Sequence, residues 1–482
     1  MSNHLDVLIV GAGLSGIGAA HRLQTHCPDR SYAILEARDA SGGTWDFFRY
    51  PGLRSDSDMF TLGYPLRPWL QPNAIADGAS ILAYIRETAT ENGIDKKIHY
   101  GRRVVSAAWS SEQARSTLTT AEGTEWTCNF LYLCTGYYRY SSGHEVAFPG
   151  MGDYAGHLVH PQNWPAELDY EGKRVVVIGS GATAVTLVPA LAQQAAHVTM
   201  VQRSPTYMIP LASKEPLTAK LGKRMSPERA SRLIRKRNVA MNFLTFQASR
   251  RWPEKVGQML RDRVAGELPE HVKVDPHFTP RYKPGDQRVC GVADGDLFAA
   301  LREGRTSIVT GEVETFTEKG LRLTDGQELE ADVVVTATGL VMVTFGEVAL
   351  SVDGKAVNSR HLQVYKHLMF SGLPNLAWCV GYTNASWTMR ADLSHQYVCR
   401  LLNHMARRRY DVATPVPKDA AGSDEPLLNL SSGYVLRASD ILPRQGTEGR
   451  WKVRNNYLRD WPRMKLTRIN DGALVFKRRV KA

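Results

Sequence analysis

Two glycine-rich stretches stand where a phosphate cradle would. Gly11-Ala12-Gly13-Leu14-Ser15-Gly16 follows the apolar run Val7-Leu8-Ile9-Val10 and opens an Ala-rich helical stretch. A second apolar run, Tyr32-Ala33-Ile34-Leu35, ends in Glu36. This is a dinucleotide fingerprint in its required setting: strand before, helix after, and an acid closing the next strand. Gly11 permits the tight turn, Gly13 lets the backbone approach a pyrophosphate, and Gly16 lets helix and strand pack closely. The helix start offers unpaired N–H groups and a positive dipole end, and Glu36 would accept hydrogen bonds from a ribose diol. An ordinary glycine-rich strand-to-helix turn is the plainer alternative.

The pattern returns at Val175-Val176-Val177-Ile178, followed by Gly179-Ser180-Gly181-Ala182-Thr183-Ala184. Ala184 stands at the third position, as the fingerprint allows. The strand beyond that helix runs into Gln202-Arg203-Ser204 instead of an acid. An acid there would repel a 2′-phosphate, whereas Arg203 and Ser204 can hold one. The second site is therefore expected to prefer NADPH over NADH; a solvated loop arginine is the alternative. Two dinucleotide sites in one chain imply hydride transfer from a nicotinamide to a flavin, so the first site is expected to take FAD. Reduced flavin then needs an acceptor. The six cysteines form no Cys-x-x-Cys, which argues against a nearby redox disulfide and against a zinc ribbon. No metal site is expected, and dioxygen is the obvious remaining acceptor, which spacing alone does not show.

The elements that must position these loops predict an α/β protein with two Rossmann-like dinucleotide-binding domains. Two further strands end in Thr135-Gly136 and Thr338-Gly339, where glycine allows backbone close to a cofactor. Read as chain crossings, they make the FAD-binding domain discontinuous, residues 1–142 and again 339–482. The NADPH-binding domain is then inserted at 143–338, itself carrying a helical insertion at about 206–285. Gly339 joins the cofactor-binding candidates on that reading.

The chain has 482 residues and a net charge of +12, but residues 220–263 carry +10 and residues 449–482 carry +9. The remainder is net acidic. With no recognised module beside the charge, nucleic acid is not an expected partner. Arg232, Arg235, Lys236 and Arg237 precede the apolar run Val239–Phe246. That segment reads either as an amphipathic helix on an anionic membrane surface or as a core helix with solvated flanks. The first residues lack the basic region of a signal peptide, and the uncharged stretch Val175–Ala192 reads as a strand and packed helix, not a membrane span. A cytoplasmic protein is expected, with membrane association open.

Ahead of the second fingerprint, Tyr154-x-Gly156-x-x-x-His160-x-x-x-Trp164-Pro165 resembles the F-x-G-x-x-x-H-x-x-x-W-P signature of type I Baeyer–Villiger monooxygenases. Gly42-Gly43-Thr44-Trp45, Arg49-Tyr50-Pro51-Gly52-Leu53-Arg54-Ser55-Asp56 and Asp286-Gln287-Arg288 are similar to segments of the same family. Gly381-Tyr382-Thr383-Asn384-Ala385-Ser386-Trp387 resembles its actinobacterial branch, which contains an ethionamide-activating flavin monooxygenase. Tyr154 replaces the usual Phe and Pro161 stands where Thr is common, while His160 and Trp164 are intact.

The resemblance implies an NADPH- and O2-dependent FAD enzyme that converts ketones to esters or lactones and oxidises sulfides through a flavin C4a-peroxide. It implies that Arg288 holds the anionic peroxide, which suits a guanidinium that never deprotonates, and that Asp56 orients Arg288. It places Thr44, Trp45 and Asp56 at the flavin, and Asn384 and Trp387 at the substrate. Gly156, His160 and Trp164 become an interdomain linker that couples NADPH binding to domain movement. A surface arginine and a turn aspartate are the plain alternatives for Arg288 and Asp56. Rival functions are a flavin N- or S-monooxygenase acting through the hydroperoxide, and a flavin-bound redox sensor or membrane-docking protein.

Overall fold

Strand His4–Val10 is buried from Val7 onward, as an apolar strand covered on both faces of a parallel sheet must be. In the computed structural model, which describes residues 4–418, 423–428, 430–447 and 449–479, it runs inside a nine-stranded sheet. Its parallel neighbours are Tyr32–Leu35 and Glu125–Leu133. Helix Leu14–His26 turns Ile17, Ala20 and Leu23 into the core. Past Glu125–Leu133 the sheet becomes antiparallel through Arg115–Thr120 and Val104–Ser110. Ile98–His99 forms one edge beside Tyr32–Leu35, and three later segments complete the sheet: Ala349–Val352 beside Val104–Ser110, Lys355–Ala356 beside Ala349–Val352, and Leu376–Trp378 beside the end of Glu125–Leu133. The long helix Trp387–Arg408 packs its buried face against Leu14–His26.

A second sheet has five strands, all parallel, in the order Thr306–Thr310, His197–Gln202, Arg174–Ile178, Val333–Thr336, His157–Val159. Helix Ala182–Leu191 follows Arg174–Ile178 and buries Val185, Leu187, Val188 and Leu191. The fold is thus α/β with two dinucleotide-type sheets. Between the second fingerprint and Cys290 the chain forms strand Met208–Leu211, which pairs with Cys290–Ala293, and then helices Pro216–Gly222, Pro227–Arg251 and Pro253–Ala265.

The second Thr-Gly strand end ties the two passages between the sheets together. Thr338 Oγ1 donates to the His144 carbonyl at 2.6 Å, and the His144 N–H donates to the Gly339 carbonyl at 3.1 Å. No helix among the described residues is long and apolar enough to cross a membrane.

Candidate active site

The first glycine loop separates packing from binding. A Cβ on Gly16 would lie 1.9 Å from the Gly11 carbonyl, and one on Gly11 would lie 2.7 Å from the Cys134 carbonyl. The fold itself requires both glycines. A Cβ on Gly13 would meet only Gly43 Cα at 3.4 Å, an ordinary contact. Gly13 instead borders a cavity of about 670 Å³, and the helix it begins has no side-chain cap. Uncapped N–H groups over a cavity fit an anionic phosphate. Glu36 lines the same cavity, buried, and accepts from the Ala12 N–H at 2.6 Å and the Arg38 N–H at 3.0 Å. Burial raises its pKa against the lowering effect of those bonds. The residues present fit a dinucleotide.

Thr44 and Trp45, in the short helix Thr44–Phe47, also line this cavity. The Thr44 hydroxyl lies 3.2 Å from the Tyr140 hydroxyl. Behind them Asp46 is buried and paired with Arg38, Arg49 and Arg86 at 2.7, 3.0 and 2.7 Å. Three guanidinium groups around one carboxylate leave positive charge beside the loop, and Arg38 reaches the cavity wall.

Asp56 and Arg288 stand on that wall too, Arg288 Nη1 lying 3.6 Å from Asp56 Oδ2. Arg288 Nε donates to the Thr383 carbonyl at 3.2 Å. The arginine side chain keeps 40% of its surface exposed and the aspartate 27%, so the pair opens to the cavity. Burial pulls the guanidinium pKa down, the Asp56 carboxylate pushes it up, and the net shift is upward. The cation is permanent. Burial raises Tyr138 and Tyr434, which stay protonated, and lifts the nearby Cys290 thiol to about 12. The cavity therefore offers a fixed cation and neutral hydroxyls, and no thiolate at neutral pH.

The second glycine loop leads into a helix that reaches the same cavity. Helix Ala182–Leu191 brings Ala182 and Thr186 to the cavity wall, and Gly52 approaches so closely that a Cβ there would lie 2.4 Å from the Thr186 carbonyl. Gly179 packs against the Ala337 carbonyl, whereas a Cβ on Gly181 would meet nothing within 4 Å. This helix also lacks a side-chain cap. Ser180 Oγ donates to the Ser204 carbonyl at 2.8 Å, which draws the Arg203–Ser204 turn beside the loop. Arg203 is exposed and holds no ion pair among the described residues. Thr183 is half-buried, and Ala184 is buried against the sheet. An open backbone, an uncapped helix and a nearby unpaired arginine fit a 2′-phosphorylated dinucleotide.

His160, Trp164 and Gly156 do not line the cavity that holds Arg288. The His160 ring packs where a Cβ on Gly143 would come within 2.1 Å, and its Nδ1 accepts from the Gln162 N–H at 3.2 Å. Gln162 in turn donates to the carbonyls of Arg139 and Tyr140. Trp164 packs edge-on to Tyr170, and Gly156 leaves room for the Tyr154 hydroxyl. Of these residues His160 meets Gly339, whose backbone hydrogen-bonds its ring. Trp387 reaches the cavity, donating from Nε1 to Ser15 Oγ at 2.7 Å. Asn384 points elsewhere: its Nδ2 donates to the Asn455 carbonyl at 2.9 Å.

Sequence reasoning missed the hydroxyl group of tyrosines around Arg288, the three arginines on Asp46, and the bidentate Arg54–Asp296 pair joining the Asp56 segment to helix Asp296–Arg302. Tyr137-Tyr138 directly after Thr135-Gly136 was the available signal for the first. Residues 58–402 match the family described as Flavin-binding monooxygenase-like. The chain belongs to this flavin-binding monooxygenase family. Residues 9–73 also match an NAD(P)-binding Rossmann-like domain. This flavin-binding monooxygenase is 47% identical over 483 residues to "FAD-containing monooxygenase EthA" of Mycobacterium tuberculosis, covering 99% of both chains. It is 48% identical to "Putative FAD-containing monooxygenase MymA" of the same organism, covering 99% of this chain and 98% of the relative. Its fold resembles the solved structure "Oxidized steroid monooxygenase bound to NADP", with a TM-score of 0.79 at 22% identity over 98% and 99% of the two chains.

Proposed function

We propose that this monooxygenase holds FAD at the Gly11–Gly16 loop and NADPH at the Gly179–Ala184 loop, and oxygenates ketones to esters or lactones and sulfides to sulfoxides. The cofactors supply hydride and the activation of dioxygen; the protein supplies position and charge. Gly13 and the uncapped helix start hold the FAD pyrophosphate, and Glu36 takes its ribose. Gly181 and its helix start take the NADPH pyrophosphate, with Arg203 and Ser204 on the 2′-phosphate. That the relatives are FAD-containing monooxygenases and the structural neighbour is bound to NADP supports that pair of cofactors.

Arg288 carries the reading. A nucleophilic oxygenation develops negative charge at the reacting oxygen, and a preorganised cation beside it stabilises that charge. Asp56 and the Thr383 carbonyl orient the planar fork, and the protonated tyrosines beside it can donate hydrogen bonds. His160 and Trp164 act as a hinge between the sheets, remote from the chemistry. The enzyme is read as cytoplasmic. The test is product per NADPH consumed by holoenzyme with cyclic ketones and aryl sulfides. Ester and sulfoxide together support the reading; sulfoxide alone favours the hydroperoxide-type N- or S-monooxygenase, and neither favours a redox sensor.

A further inference from the structure

We infer that the helix Pro227–Arg251, with the adjoining C-terminal helix Tyr457–Lys465, forms a docking surface for a bilayer rich in anionic phospholipid headgroups. The inference is independent of the oxygenation chemistry. The two most basic segments of the sequence, 220–263 and 449–482, are neighbours in the fold. Tyr457 packs into the same core cluster as Ile234, and its phenol feels the charge of Arg235.

The apolar run Val239–Phe246 contributes no buried residue to the protein core; the buried residues of its helix are Ala230, Ser231, Ile234, Asn238 and Ser249. The helix is held instead by polar anchors. Arg235 donates to the carbonyls of Phe60, Thr61 and Gly63, and Asn238 donates to Asp58 at 3.0 Å. Its outer face is left to solvent. Leu233, Ala240, Leu244 and Arg251 recur there at spacings of seven, four and seven, one stripe of a 3.6-residue helix. Leu233 is 47% exposed, Met241 54%, Leu244 58% and Trp252, at the helix end, 55%.

Exposed apolar side chains scattered singly need no explanation, but concentration does. Of the sixteen large hydrophobic side chains exposed among the described residues, nine lie in these two basic segments, which make up less than a fifth of the chain. Arg229, Lys236, Arg251 and Lys255 accompany them without an ion pair among the described residues. Apolar residues that insert shallowly, a tryptophan at the edge and unpaired cations beside them are what an anionic headgroup layer recognises. A basic surface of this kind repels a second copy of itself. Because the inner anchors fasten the helix to residues 58–63, docking would also fix the Asp56 side of the cavity relative to the membrane.

The test is co-sedimentation of FAD-loaded enzyme with vesicles of phosphatidylcholine alone and of an equimolar mixture with phosphatidylglycerol. Binding to the anionic vesicles only, weakened by salt, is expected. The double variant Arg229→Ser/Lys236→Ser should bind roughly 25-fold more weakly, about fivefold per charge. Met241→Ser/Leu244→Ser should weaken binding at every salt concentration, and both variants should keep wild-type NADPH oxidation. Failure to bind anionic vesicles at low salt, or equal binding to both compositions, would overturn the inference. So would a Met241→Ser/Leu244→Ser variant whose only change is loss of self-association without lipid, since the face would then join copies of the chain.

Discussion

Arg288 meets Asp56 at 3.6 Å although 232 residues separate them in sequence, and a third stretch of chain closes the arrangement through the Thr383 carbonyl. The neighbouring Tyr382 hydroxyl donates to Asp460 at 2.8 Å, and buried Arg390 lies 3.3 Å from the same carboxylate. The cation at the cavity wall is thus braced by the first sheet's loop, by the segment before Cys290 and by the C-terminal region together.

That brace gives a stability prediction. Removing Asp460 leaves the Arg390 side chain, 1% exposed, without its counter-charge. An uncompensated buried charge costs about 3–5 kcal/mol. Asp460→Ala should lower the denaturation midpoint by a corresponding amount in urea titrations. A near-wild-type midpoint would show that the pair bears no structural load.

Gly13 and Gly16 of the first loop should fail differently. Gly16→Ala forces a Cβ against the Gly11 carbonyl and should yield little folded protein. Gly13→Val should fold, because its Cβ makes an ordinary contact, but should purify without yellow colour. Circular dichroism and the flavin absorbance ratio separate the two. Full FAD occupancy in Gly13→Val would remove the cofactor assignment of this loop.

Much of this was legible in the sequence because it is local. Both glycine loops, their flanking strands and the switch from Glu36 to Arg203 lie within short windows, and each appears where its spacing placed it. The Arg288–Asp56 pair is of another kind. No local pattern distinguishes that arginine from a surface one, and it was reached through the resemblance of Asp286-Gln287-Arg288. The hydrogen bond that turns Asn384 toward Asn455, and the packing of His160 on Gly143, depend on chain segments far apart. The sequence run Val239–Phe246 resembles core, yet none of its residues is fully buried, and Met241 and Leu244 are more than half exposed.

Coenzyme choice should rest on Arg203. Arg203→Ala should weaken NADPH roughly 10- to 150-fold, the loss of a charge-assisted hydrogen bond, and leave NADH nearly unchanged. Steady-state kinetics with both coenzymes measure this. Equal weakening of the two would refute the assignment.

Stability should also report on Lys366. Burial pulls its ammonium down to about 8 from 10.5, although Asp471 lies 3.3 Å away and draws it partly back up. Between those values the unfolded chain binds more protons than the folded one, so this residue's contribution to stability rises with pH. The rise is on the order of 3 kcal/mol across the window. Lys366→Met should abolish it in denaturation series from pH 8 to pH 10. A variant with the wild-type pH slope would contradict the sign.

The central claim is that Arg288 serves oxygenation and not hydride transfer. Most of the geometry for hydride transfer comes from the two dinucleotide loops, whereas stabilising negative charge beside the flavin needs the guanidinium, because a buried anion without a partner is costly. Arg288→Ala should retain FAD and still consume NADPH, and Arg288→Lys should recover activity only in part, since an ammonium lacks the planar fork. The decisive measurement is a paired assay of NADPH consumed, ester formed and hydrogen peroxide released by wild type and Arg288→Ala with a ketone. The predicted result is continued NADPH consumption with ester replaced by hydrogen peroxide; a wild-type yield of ester from Arg288→Ala would contradict it.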